Sequence, residues 1–182
     1  MEEAGFVSTG DRAYLKALVF FVISRKMGLK ANEPLRPESE MLTRKLGAFV
    51  TLKTRGNLRG CIGSVIGDHP LEDTIRRMAA AAAFEDPRFQ PLEARELSDL
   101  EIEISVLGPL ELVPDPNKVV PGRDGLLVSR HGRSGLLLPQ VATEWGWDRE
   151  QFLSHTCRKA SLPAEAWKDP ETQIYRFQAE VF

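Results

Sequence analysis

The sequence predicts an α+β fold, and three observations carry that expectation. Two runs of strand-forming residues meet around a turn between positions 47 and 66. A strictly alternating stretch occupies 100–107. Helical patterns with their own start and stop signals lie before, between and after these strands. At 182 residues the chain has the material for one ordinary domain or two small lobes sharing a core.

The first element expected is a helix over residues 11–27. Ser8 and Asp11 have capping-box spacing, Gly28 stands where a C-terminal cap glycine belongs, and Tyr14, Leu18, Phe21 and Val22 share one face as core. Residues 30–40, with Pro34 and Pro37, read as a loop. Gly47–Lys53 is a strand, and Thr54-Arg55-Gly56-Asn57 is turn chemistry, with Gly56 and Asn57 suited to positive φ. Leu58–Ile66 returns as the second arm of a hairpin. Gly60 and Gly63 inside it mark a bulge or a close backbone approach.

Asp68-His69-Pro70 opens the next helix, with Pro70 at the first helical position and Glu72 and Asp73 at its positive end. It runs through Ile75, Met78 and five consecutive alanines, small enough to lie tight against a sheet, and Asp86-Pro87-Arg88-Phe89 ends it. In 100–107, Glu101, Glu103 and Ser105 alternate with Ile102, Ile104 and Val106, a strand with one wet face. Residues 108–125, rich in Pro, Gly and Asp, are the expected internal boundary. Two short strands, 125–129 and 134–138, follow. A helical stretch begins at Pro139 or Gln140 and breaks near Gly146; a helix capped by Asp148 runs to about Ala160; Thr172–Val181 closes the fold as a strand. Trp145, Trp147 and Trp167 are expected to anchor lobe packing.

Composition narrows the function classes. Hydrophobic residues make up 42% and charged residues 27%, which is globular rather than disordered. The formal net charge of −2 argues against binding nucleic acid by bulk phosphate neutralisation. Arg123, Arg130 and Arg133 lie close together in sequence, but Asp124 sits among them and a solvated loop is expected. The longest apolar run, Ala17–Ile23, is far short of the roughly 20 residues needed to span a bilayer. No signal-peptide pattern accompanies it, so a soluble protein of the cytoplasm with no membrane attachment is expected. The two cysteines, Cys61 and Cys157, are far apart, and neither they nor His69, His131 and His155 have metal-site spacing. No metal or other cofactor is expected.

Four stretches stand in order along the chain: Gly47-Ala48-Phe49-Val50-Thr51-Leu52, Gly56-Asn57-Leu58-Arg59-Gly60-Cys61-Ile62-Gly63, Ala82-Ala83-Phe84-Glu85-Asp86-Pro87-Arg88-Phe89, and Gly135-Leu136-Leu137-Leu138-Pro139-Gln140-Val141. Together they resemble the AMMECR domain family, and most closely its prokaryotic members called AmmeMemoRadiSam system protein A. The resemblance runs from about Ala13 to the C-terminus, and the Leu-Arg-Gly-Cys-Ile-Gly hexapeptide is its most specific part. It implies two unequal α/β-sandwich lobes with mainly antiparallel sheets, a cleft between them, and the hexapeptide near the surface. It also implies partnership with a Memo-like protein and a radical SAM protein, in a family whose biochemical activity is not established. Ser161 departs from the pattern, standing where the family often has glycine after the last helix. His69 is at a position not associated with a fixed histidine, which puts a base role for it in doubt.

At Leu58-Arg59-Gly60-Cys61-Ile62-Gly63 two readings stand. In one, Cys61 is a thiolate nucleophile. Arg59, two residues away on a strand, shares its face; Gly60 and Gly63 bring backbone N–H groups to an anionic substrate; and the helix beginning near residue 70 aims its positive end at the same place. In the other, Cys61 is a small buried hydrophobe, Arg59 pairs with Asp86 to hold hairpin to helix, and the hexapeptide is a binding or structural surface. Arg88 likewise either joins Arg59 in clamping a small carboxylate or phosphate ligand or pairs with a carboxylate, with Phe89 in the core. Gln140 reaches a ligand through its amide or satisfies backbone groups at a helix start.

Overall fold

The chain forms mixed helix and antiparallel sheet, and the computed structural model describes residues 6–182 of it. Two compact units are present. One is formed by the chain up to Leu107 together with Glu180–Phe182, the other by Gly108–Ala179.

In the first unit, α1 (Thr9–Lys26) begins at Ser8, whose hydroxyl accepts the Asp11 N–H, and ends before Gly28, at φ +77°. Strands β1 (Ala48–Thr54) and β2 (Asn57–Ser64) pair antiparallel across a two-residue turn. Both central residues have positive φ, 52° at Arg55 and 74° at Gly56, the mirror-image turn that matches strand twist. The left-handed pair is therefore Arg55 and Gly56, not Gly56 and Asn57, because Asn57 already belongs to β2. Helix α2 (Leu71–Phe84) takes Pro70 as its cap residue, one position earlier than expected, with Lys45 bridging to Pro70. Strand β3 (Leu100–Leu107) and β8 (Ala179–Val181) complete a four-stranded sheet in the order β2-β1-β3-β8.

One face of this sheet carries Ala48, Val50, Leu52, Ile104 and Val106, all without exposed surface, in one core with Leu15, Leu18, Val19 and Ile23 of α1 and Ile75 and Ala79 of α2. The opposite face is drier than the alternation predicts. Glu101 is exposed, but Ser105, on the rung of Phe49, is 3% exposed. Where the helices meet residues 33–36, the Glu72 carboxylate accepts from Tyr14 Oη at 2.8 Å, Arg36 Nε at 2.6 Å and Arg76 Nη2 at 3.1 Å. Burial alone would raise the Glu72 pKa, but these three donors outweigh it and hold the carboxyl below its ordinary value. The same setting, burial first and the Glu72 carboxylate second, pushes Tyr14 up to about 12.

The second unit holds a sheet in the order β4-β7-β5-β6, from β4 (Glu111–Leu112), β5 (Gly125–Arg130), β6 (Arg133–Leu137) and β7 (Gln173–Phe177). The single closing strand expected over 172–181 is two strands in different sheets. The break falls at Gln178, whose carbonyl accepts from Gly108 N–H at 2.7 Å instead of continuing the β7 ladder. Helices α3 (Pro139–Glu144) and α4 (Arg149–Lys159) follow β6. Phe152, Leu153 and Cys157 of α4 join Leu126, Val128 and Ile174 in a second core, with Trp147 and Trp167 packed against it. Trp145 is not a packing anchor. It is 70% exposed, turned outward past the end of α3, and stacks on Trp147 with ring centroids 6.1 Å apart. Of the arginines expected to be solvated, Arg123 and Arg133 are exposed, the first paired with buried Asp124 and the second donating to the Ser161 carbonyl, whereas Arg130 is drawn in by Asp169 and Glu171 with 22% of its side chain exposed.

Ser161 closes α4 as a glycine would. It has φ +57°, its N–H bonds to Arg158 O, and Leu162 N–H reaches back to Cys157 O at 2.9 Å, the paired bonds of a left-handed helix cap. An L-residue there bears a steric cost that glycine avoids. Ser161→Gly is expected to stabilise the protein by about 0.5–1 kcal/mol after the extra freedom of glycine in the unfolded chain is subtracted, read as a higher denaturation midpoint. An unchanged midpoint would show that Ser161 sits there without strain.

Candidate functional site

The hexapeptide lies on β2, an edge strand of the first sheet. Its register with β1 slips between Leu52 and Lys53: Leu52 pairs with Gly60 and Lys53 with Leu58, leaving Arg59 as the extra residue of a β-bulge. Strand alternation therefore fails between Arg59 and Cys61, and Arg59 turns away to other partners. Its Nε and Nη2 grip the Glu96 carboxylate at 2.6 and 3.0 Å, while Nη1 and Nη2 bond to the carbonyls of Gln90 and Pro91 at 2.9 and 3.3 Å. Arg59 thus pairs with Glu96 rather than Asp86. Its guanidinium is the chief reason the Glu96 carboxyl sits below its ordinary value.

Gly60 lies tight against α2. A Cβ added there would stand 2.1 Å from the Ala82 carbonyl oxygen. Gly63 is covered by the ring of Phe49, its cross-strand partner, which a Cβ would meet at 2.1 Å. Ala82 is near the C-terminal end of α2, eleven residues past Leu71, so about 16 Å of helix separates Gly60 from the positive end. That end does not serve Cys61.

Asp86 and Arg88 do not form an open clamp. Asp86 Oδ2 accepts the Cys61 N–H at 2.9 Å and Arg88 Nη2 at 2.7 Å, and Oδ1 accepts Arg88 N and Nε at 3.1 and 3.0 Å. Arg88 Nη2 also donates to the Cys61 carbonyl at 3.1 Å. Both backbone groups that Cys61 turns to the open edge are thereby satisfied, as a neighbouring strand would satisfy them. The Asp86 side chain is 2% exposed, and Arg88 holds its carboxyl well below the usual carboxylate range. Phe89 is not in the core. It is half-buried, with the guanidinium carbons of Arg59 and Arg88 at 6.0 and 5.5 Å from its ring centroid.

The hexapeptide and residues 86–91 therefore hold each other: Arg59 takes carbonyls of that loop, and Asp86 and Arg88 take the backbone of Cys61. The Cys61 N–H is occupied by a carboxylate, and the ladder turns the Gly60 N–H toward β1, so neither is free for an oxyanion. The half-buried Cys61 thiol lies 3.2 Å from Thr51 Oγ1 on the sheet face away from the helices. Glu103 is the next rung across, bonded by Lys53 Nζ at 2.9 Å. Leu58 is 43% exposed and Ile62 packs against the first core.

Of the residues singled out from sequence, Leu58 to Gly63, Asp86 and Arg88 come together in the first unit. Gln140 belongs to the second, at the start of α3 and half-buried. Glu96, Thr51 and the Gln90 and Pro91 carbonyls were not anticipated. Glu96 had a signal: it sits three residues after Glu93, and the two form a capping box over residues 94–99. Among the described residues, no group of three or more His, Cys, Asp and Glu side chains is placed to hold a metal ion, and no helix is long and apolar enough to cross a membrane.

Comparison with known proteins agrees with this architecture. A protein of Methanothermobacter thermautotrophicus is 50% identical over 149 residues, covering 79% of this chain and 78% of that protein. A protein of Thermococcus kodakarensis is 48% identical over 160 residues, covering 82% and 78%. The crystal structure of an uncharacterized protein from Pyrococcus horikoshii matches with a TM-score of 0.80 and 40% identity, covering 93% of this chain and 88% of that one. The family model described as AMMECR1 matches residues 17–182, and the chain belongs to the AMMECR1 family.

Proposed function

We propose that this chain is a binding or accessory component that works with Memo-like and radical SAM partners, and that the hexapeptide strand with loop 86–91 is the surface it presents. One observation carries this reading: the polar groups that a mechanism at Cys61 would recruit are committed to each other. Arg59 is spent on Glu96 and two carbonyls, Arg88 on Asp86, and the Cys61 N–H on Asp86. Groups fixed in this way cost little further entropy on association, which suits a preformed contact surface.

The test is binding to each co-expressed partner by the intact chain and by two variants. Leu58→Glu places a charge on the exposed hexapeptide residue outside the clasp, and is expected to weaken complex formation at least about tenfold, as loss of a buried apolar contact does. Cys61→Ser is expected to bind as the parent does. Absence of binding to either partner at micromolar concentration would end the reading.

The alternative is an enzyme with Cys61 as nucleophile. Its support is the half-buried thiol beside Thr51. Alkylation of Cys61 at half its limiting rate well below about pH 8.5 would favour it, as would loss of all pathway activity in a folded Cys61→Ser variant. Full activity in that variant would exclude it.

A further inference from the structure

Residues 29–38 cross the first unit outside its helices and its sheet, between the end of α1 and the fully buried Leu42. No side chain in the stretch is buried. Ala31, Pro34 and Pro37 are half-buried and the others are exposed. Leu35 is 96% exposed, so burial of its apolar side chain does not hold the segment down. Among the described residues, residues 30–38 make no backbone–backbone hydrogen bond.

The chain is fixed on either side. Leu29 N–H bonds to Ser24 O at 3.0 Å, just after Gly28 at φ +77°. At the other side Ser39 Oγ donates to Asp11 Oδ2 at 3.0 Å. Between these points two ion pairs hold the segment to the helices. Arg36 Nε donates to Glu72 Oε2 at 2.6 Å, and Glu33 pairs with Arg76, whose Nη2 also donates to Glu72 Oε1 at 3.1 Å. Tyr14 Oη donates to the same Oε1 at 2.8 Å. The ties therefore converge on one carboxylate whose side chain is 14% exposed.

A segment with few buried contacts and a solvated main chain lies at the low-stability end of a fold and opens locally. Ion pairs between partly exposed side chains are weak and screened by salt, so they make a releasable fastening where packed leucines would not. We propose that residues 29–38 are a hinged strap latched on Glu72. It lifts off α1 and α2 as one piece while the rest of the first unit stays folded. Lifting breaks the Arg36–Glu72 and Glu33–Arg76 pairs and no core contact. The bonds from Tyr14 and Arg76 to Glu72 join the helices without the strap and persist. The open form thus uncovers a carboxylate, a phenol and a released guanidinium that the closed form covers. This latch sits near the start of α2, at the other end of that helix from Gly60, and is independent of the hexapeptide surface.

Backbone ¹⁵N relaxation distinguishes the two forms. In the parent at low salt, residues 31–36 are expected to show order parameters near the value of about 0.85 for rigid backbone. Glu72→Gln keeps the shape and removes the charge. It is expected to drop these residues below about 0.6, the flexible range, with α1 and α2 unchanged. Arg36→Ala, at a side chain 45% exposed, removes one tie without touching the core and is expected to act in the same direction. So is about 1 M salt on the parent, where the screening length falls to about 3 Å. Unchanged order in both variants would overturn the proposal, because the strap would then be held by something other than its ion pairs. A strap already mobile in the parent at low salt would overturn it as well, leaving no latch. Loss of order in α1 and α2 together with the strap in Arg36→Ala would do the same, since the segment would then be part of the fold and not a cover on it.

Discussion

Gly60→Ala is expected to destabilise the protein by about 3 kcal/mol, the upper part of the range for forcing an extra methyl into a packed interior. The new Cβ would stand 2.1 Å from the Ala82 carbonyl oxygen and 3.1 Å from its carbon. The obstacle is helix backbone, not a flexible side-chain end, so relief requires β2 and α2 to part. Both elements are held from other directions. Ala79 and Ala82 are buried in the core, and β2 pairs with β1 on both sides of the bulge. The clasp lies one residue away, so the same movement would pull the Cys61 N–H from Asp86. Denaturant midpoints would measure the loss, and it should come with faster alkylation of Cys61. A cost under about 1 kcal/mol, that of an ordinary surface substitution, would mean that α2 can move off the sheet and that glycine at position 60 is not required by packing.

That helix–strand contact was legible in the sequence in kind but not in detail. Glycine inside a strand signals either a bulge or a close approach, and Gly60 adjoins the first while making the second. The alanine run of α2 pointed to tight packing on a sheet, and Ala82 is what Gly60 meets. What period-two reasoning cannot register is one extra residue. The bulge at Arg59 removes the basis for placing Arg59 and Cys61 on one face, and the commitment of Arg59 to Glu96 and two carbonyls removes the electrostatic case for activating Cys61. The partners of Arg59 were illegible for another reason. Two of its acceptors are main-chain carbonyls of Gln90 and Pro91, which any residue type would supply. Nor did local pattern separate β7 from β8, because both are extended and only their different sheets distinguish them.

Asp86→Ala is expected to cost about 3 kcal/mol at neutral pH, because it strips partners from the Cys61 N–H and from Arg88 around a side chain 2% exposed. The Arg88 guanidinium, 54% exposed, regains water, which keeps the loss at the low end for a broken buried pair. The pH dependence separates charge from mere packing. Arg88 and the Cys61 N–H bind the ionised carboxyl, so the folded protein holds the Asp86 proton less tightly than the unfolded chain, where the ordinary value is about 3.9. Between the two values the unfolded state binds more protons, and stability falls as pH falls. The contribution is complete above about pH 5 and is lost progressively below pH 4 as the folded carboxyl titrates. Glu72, Glu96 and Asp124 are depressed as well, so the whole protein is expected to weaken in acid. Asp86→Asn keeps the shape while removing the titration. Its stability, lower than the parent's at pH 7, should draw progressively nearer the parent's as pH falls below 4, when measured by urea denaturation across the acid range. A constant gap would show that Asp86 acts through shape and hydrogen-bond count alone. Convergence would establish that a charged carboxylate locks the edge of β2, and that the hexapeptide owes its fixed geometry to that charge.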